Sequence, residues 1–134
     1  MSTPHHLLVI DDEPFIGRIV RMQFERGPYR VSVAADGPSG LAFLREHPGV
    51  DCVLVDVNMP GMSGLDVIEE AREDPRFKTT TFVVLTAAGD TQHAERARGL
   101  GAAAFLTKPF SPKKLFRQIC LIMGDDPPPD TLDG

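Results

Sequence analysis

The residues with chemical potential fall in four short strings. They are Asp11-Asp12-Glu13, Asp56, Thr86 and Lys108-Pro109. Each lies at the C-terminal end of an apolar run: Leu7-Leu8-Val9-Ile10, Cys52-Val53-Leu54-Val55, Phe82-Val83-Val84-Leu85 and Ala103-Ala104-Phe105-Leu106. A charge such as Asp56, set between Val55 and Val57, is costly unless it has a partner. Three carboxylates brought together repel, so either one keeps a proton or a cation joins them. All-oxygen, carboxylate-rich ligation suits Mg²⁺, which retains several waters and takes an oxyanion as a further ligand. The Lys108 ammonium and the Thr86 hydroxyl would then add charge and a neutral donor for a phosphoryl group. One carboxylate could act as the nucleophile and form an aspartyl phosphate.

These strings meet only if the chain places their strand ends on one edge. The four runs above, with a more alternating one at residues 29–34, read as strands. Continuous apolar runs suit parallel strands covered on both faces, and the run at 29–34 suits an edge. Helical patterns separate them. The first covers residues 14 to about 26, with Pro14 in the first turn, where its missing N–H is harmless. The second covers about 39–46. The third starts at Ser63, where Ser63-Gly64-Leu65-Asp66 reads as a variant capping box. The fourth, about 91–98, offers only Ala94, Ala97 and Leu100 to a core and should be the least firmly packed. The fifth follows the cap Ser111-Pro112 and ends at Gly124. Strand–helix alternation repeated five times predicts an α/β fold with right-handed crossovers. Ligands of such sheets sit beyond the carboxyl ends of the strands.

The chain has 134 residues, 42% apolar and 25% charged. That is one ordinary globular domain, expected over residues 1–124. Residues 125–134 carry three consecutive prolines and read as a flexible acidic tail or the start of a linker. With 14 basic and 19 acidic residues, the net charge of −5 argues against direct nucleic-acid binding and against an anionic membrane surface. No run approaches the length of a membrane span, and residues 1–6 do not resemble a signal peptide. A cytoplasmic location is expected. Cys52 and Cys120 form no metal or redox spacing, and Cys52 reads as an inert core thiol. His5-His6 reads as a disordered terminus, and His47 and His93 as solvated single residues. Residues 99–104 match a loose dinucleotide pattern, but they precede a strand where that motif must follow one.

The strings Val9-Ile10-Asp11-Asp12-Glu13, Leu54-Val55-Asp56-Val57-Asn58-Met59-Pro60-Gly61-Met62-Ser63-Gly64, Val84-Leu85-Thr86-Ala87 and Lys108-Pro109-Phe110 occur in this order. In this combination the chain resembles the receiver domain of two-component response regulators, over about residues 6–124. The resemblance implies a flavodoxin-like, doubly wound five-stranded parallel sheet of order 2-1-3-4-5 with five helices. It implies that Asp56 is the phosphoacceptor, and that Asp12 and Asp56 bind Mg²⁺ directly. Asp11 would act mainly through water, and the Asn58 carbonyl would complete the protein ligands. Thr86 and Lys108 would bind the phosphoryl group with the amides of Asn58 and Ala87, and Lys108-Pro109 would be cis. Thr86 and Phe105 would form the switch, acting on the surface of the fourth helix, fifth strand and fifth helix.

The implied partners are a histidine kinase or phosphotransfer protein and a downstream target or output domain. Such a module is not a conventional enzyme, although it catalyses its own phosphorylation and dephosphorylation. Ala103-Ala104 stand where regulators with winged-helix output often carry two acidic residues, and a homodimer is left open. Ala88 offers no side chain to orient a water, whereas Asn58 does, so modest self-dephosphorylation is expected. Two other functions compete. A haloacid-dehalogenase-like phosphatase uses a similar set, but its nucleophile comes early and is followed two residues on by a second Asp, where this chain has Asn58. A phosphorylation-independent scaffold would usually have lost one member of the set.

Overall fold

The apolar runs become five strands of one parallel sheet in a computed structural model that describes residues 5–88 and 90–125. The strands are β1 (His5–Ile10), β2 (Tyr29–Ala34), β3 (Cys52–Asp56), β4 (Thr81–Ala87) and β5 (Ala104–Lys108). The helices are α1 (Pro14–Phe24), α2 (Gly37–Glu46), α3 (Gly64–Arg72), α4 (Ala94–Gly99) and α5 (Pro112–Ile122). The strand order is β2-β1-β3-β4-β5, every pairing parallel. This is the expected flavodoxin-like α/β arrangement. The order reverses between β1 and β3, which opens a crevice at their carboxyl ends.

Side-chain alternation divides the core in two. Leu8, Ile10, Val53, Val55, Phe82 and Val84 pack with α2, α3 and Ala97 of α4. Leu7, Val9, Cys52, Leu54, Val83 and Leu85 pack with α1 and α5. Both faces of the central strands are thus covered, as their unbroken apolar character requires.

The helix starts follow their capping residues. Ser63 Oγ accepts from the Asp66 amide (3.2 Å) and Asp66 Oδ2 accepts from the Ser63 amide (3.1 Å), closing the box before α3. Ser111 Oγ accepts from the Lys114 amide before α5. Asp36 Oδ1 accepts from the Ser39 amide, so α2 begins at Gly37, two residues earlier than expected. Helix α4 begins later than expected, because Asp90 draws the chain before it into a turn by accepting from the Gln92 amide.

The histidines depart most from their sequence reading. His5 and His6 open β1 rather than a disordered terminus. Arg30 donates to His6 Nδ1 (3.0 Å), so Nε2 carries the proton and donates to Ser32 Oγ (2.8 Å). His47 stacks on Phe43 with ring centroids 4.0 Å apart. Asp125, the first residue of the expected tail, accepts from the Tyr29 hydroxyl and contacts His5 Nε2 at 3.1 Å. The rest of that tail, residues 126–134, lies outside the described residues. Cys52 and Cys120 are free and buried, and burial pushes the Cys52 thiol up to about 12.

Two measurements check this packing. A Cβ at Gly64 would lie 2.3 Å from the Asp56 carbonyl oxygen, a backbone atom that cannot step aside. Gly64→Ala should therefore lose about 1–3 kcal/mol in urea unfolding. Burial, then the charges of Arg30 and His47, lower the His6 pKa from 6.5. Below pH 6.5 the unfolded chain then binds more protons than the fold, and stability falls as pH falls. His6→Gln should flatten that decline relative to wild type in unfolding curves collected between pH 7 and 5.

Candidate functional site

The alternation that builds the core also aims the polar residues. Asp11 and Asp56 continue the parity of Val9 and Leu54, and Lys108 that of Ala104 and Leu106, all on the α1/α5 side. Thr86 and Phe105 share the parity of Val84 and so belong to the α2/α3/α4 side. The sheet end thus carries acids and ammonium on one side and a hydroxyl and an aromatic on the other.

Asp11, Asp12 and Asp56 offer carboxylate oxygens that all lie within 4.8 Å of one another. Asp11 and Asp56 are each 2% exposed, whereas Asp12 is open to solvent. Lys108 Nζ reaches across to Asp11 Oδ2 (2.9 Å), Glu13 Oε1 (2.7 Å) and Asp56 Oδ2 (3.2 Å). Burial opposes charge on this ammonium, but its contacts with Asp11 and Glu13 and the charge of Asp56 outweigh it and raise its pKa. Burial raises the Asp11 pKa; Lys108 and the Glu13 amide, which donates to Oδ1 at 2.9 Å, work against that. The ion pair from Lys108 to Asp11 Oδ2 is out of hydrogen-bond alignment, and this buried oxygen has no hydrogen-bond partner. One ammonium shared among three carboxylates, with Asp12 beside them, leaves excess negative charge. A small hard cation fits an all-oxygen set of this kind.

The Asn58 amide donates to Asp56 Oδ1 at 3.0 Å. Asn58 and Ala87 are exposed, and with Glu13, Asp56, Ala88 and Lys108 they line an open cleft of about 660 Å³. The Lys108–Pro109 peptide bond is cis. Phe105 is half-buried and packs against the α2/α3/α4 core. Thr86 is fully buried, and its hydroxyl donates not into the acidic cluster but to Asp90 Oδ2 at 2.7 Å. The structure therefore brings Asp11, Asp12, Asp56, Asn58, Ala87 and Lys108 to one crevice and sets Thr86 and Phe105 behind it.

Sequence reasoning assigned no role to Glu13 or Asp90 and read His93 as solvated. His93 Nδ1 is 2.8 Å from Asp90 Oδ2. Glu13 had a signal in its place beside the acidic pair. Asp90 had none, because only the turn after β4 brings it back onto Thr86.

Residues 7–120 match the family model described as the response regulator receiver domain. The chain belongs to the response regulator receiver domain family. It is 36% identical over 117 residues to response regulator Rre1 of Synechocystis sp., covering 86% of this chain and 50% of that protein. It is 34% identical to transcriptional regulatory protein ResD of Bacillus subtilis, over 84% of this chain and 45% of ResD. This receiver chain spans about half the length of these curated relatives. Among solved structures, chemotaxis response regulator CheY4 of Vibrio cholerae superposes with a TM-score of 0.83 at 29% identity, covering 90% of this chain and 99% of CheY4. A receiver domain is a signalling module rather than a conventional enzyme. Among the described residues no helix is long and apolar enough to cross a membrane.

A cation that binds the folded receiver and not the unfolded chain adds about 1.4 kcal/mol of stability at ten times its dissociation constant. Mg²⁺ should accordingly raise the thermal midpoint of wild type, EDTA should reverse the gain, and Asp12→Asn should abolish it.

Proposed function

We propose that this receiver accepts a phosphoryl group on Asp56 from a phosphohistidine of a partner kinase or phosphotransfer protein. Mg²⁺ would be the accompanying ion, with Asp12, Asp56 and the Asn58 carbonyl as the groups that would hold it directly and Asp11 acting through water. The observation that carries this reading is the convergence of Asp11, Asp12 and Lys108 around Asp56, which borders an open cleft.

An Asp56 Oδ attacks phosphorus in line with the leaving imidazole. The P–N bond breaks, its electron pair stays on the imidazole nitrogen, and an acyl phosphate remains on Asp56. Mg²⁺ held there would supply positive charge for the transferring oxygens. Lys108 Nζ, already 3.2 Å from Asp56 Oδ2, pairs with a phosphoryl oxygen. The amides of Asn58 and Ala87 donate to the others, and the Asn58 amide is already turned onto Asp56 Oδ1. Hydrolysis returns the carboxylate; Asn58 is the side chain placed to orient water, since Ala88 has none to offer.

Phosphorylation adds charge and acceptor oxygens beside β4. Thr86 then turns toward the phosphoryl group, Phe105 follows into the space it leaves, and the α4–β5–α5 surface changes for a downstream protein or output domain. The site of action is the cytoplasm.

Incubation with acetyl phosphate and Mg²⁺, followed by phosphate-affinity electrophoresis, tests the assignment. Wild type should give a shifted band, and Asp56→Asn or EDTA should remove it. A band that persists in Asp56→Asn would refute the acceptor, and steady turnover of a phosphoester would indicate a hydrolase instead.

A further inference from the structure

Thr86 carries a single hydroxyl proton, and in this structure that proton is committed. It goes to Asp90 Oδ2 at 2.7 Å. The same oxygen lies 2.8 Å from His93 Nδ1, and Asp90 Oδ1 accepts from the Gln92 amide at 3.0 Å. These donors, His93 first and Thr86 next, hold the Asp90 carboxyl below its ordinary range. A hydroxyl that donates to a carboxylate makes one of the stronger hydrogen bonds available to it.

We infer that Asp90 is a positioning residue that holds the Thr86 hydroxyl on the α4 side, so that a phosphoryl group on Asp56 must compete with Asp90 for it. This rests on the reading of Asp56 as the phosphoacceptor. One proton cannot serve both acceptors, and so the two bonds exclude each other. The bond to Asp90 therefore weakens binding of the phosphoryl group, and phosphorylation must release Asp90 to the same extent. His93, the residue immediately before α4, shares Asp90 and is released with it.

Helix α4 itself is moored separately. Arg96 pairs with Asp66 (2.9 Å) and Glu69 (3.2 Å) of α3, and Arg72 donates to the carbonyls of Leu100 and Gly101. Release of Asp90 thus frees the turn that enters α4 while the helix itself stays tied to α3 through Arg96. The competing role for Asp90 is that of a turn residue, for which its bond to the Gln92 amide suffices.

The test uses beryllofluoride, a phosphoryl analogue, titrated with Mg²⁺ into the full chain and followed by NMR. Asp90→Ala should tighten its apparent affinity about tenfold, the worth of a hydrogen bond to a charged group. Asp90→Asn, which keeps the size and an acceptor, should tighten it less; this variant carries the test if Asp90→Ala does not fold. In a Thr86→Ala background neither change should alter the affinity, because no hydroxyl remains to be released. Unchanged affinity in Asp90→Ala would overturn the inference. So would an equal gain in the Thr86→Ala background, which would mean that Asp90 acts through its charge alone. Wild type that binds no beryllofluoride would remove the phosphoacceptor reading and this inference together. Firm wild-type binding with no effect at Asp90 would remove this inference only.

Discussion

One ammonium holds three carboxylates at the end of this sheet, with a fourth beside them, and the rest of the molecule is arranged around that imbalance. Lys108 contacts Asp11, Glu13 and Asp56 within 3.2 Å, while Asp12 stands at the rim. Like charges this close raise each other's proton affinity unless something positive joins them. Lys108 supplies part of that charge from β5, the strand farthest from β2. In the proposed function a cation supplies the remainder and leaves room for an anionic group beside it.

The fold delivers these groups through two simple periodicities. Parallel strands all end on one edge, so residues separated by half the sequence become neighbours. Alternation along each strand then sorts them by face. Asp11, Asp56 and Lys108 fall on the α1/α5 side, and Thr86 and Phe105 on the side of α4. In the proposed function this division separates the group-transfer chemistry from the mechanical response. Thr86 stands at the boundary between the two, and its hydroxyl is turned away from the acids by Asp90.

Much of this was legible in the sequence. The strands betrayed themselves by unbroken apolar runs, and Ser63, Ser111 and the prolines marked helix starts. The cluster of Asp11, Asp12, Asp56 and Lys108 followed from strand-end logic alone. What stayed hidden depended on contacts between segments with no pattern of their own. His6 looked like a terminal residue, yet Arg30 and Ser32 of the neighbouring strand fix its ring. The turn before α4 lacks apolar periodicity, so nothing announced that Asp90 would reach Thr86 or that His93 would support it. Residues 126–134 lie outside the described residues, and the chain spans about half the length of Rre1 and ResD.

The proposed function requires the acidic cluster beside Asp56 to be a divalent-cation pocket. Crystals soaked in Mn²⁺, a Mg²⁺ stand-in visible by anomalous scattering, address it most directly. The account predicts one anomalous peak among Asp11, Asp12 and Asp56, with carboxylate oxygens of Asp12 and Asp56 at roughly the 2.1 Å typical of octahedral Mg²⁺. No peak there at saturating metal, or a peak held by other residues, would contradict it.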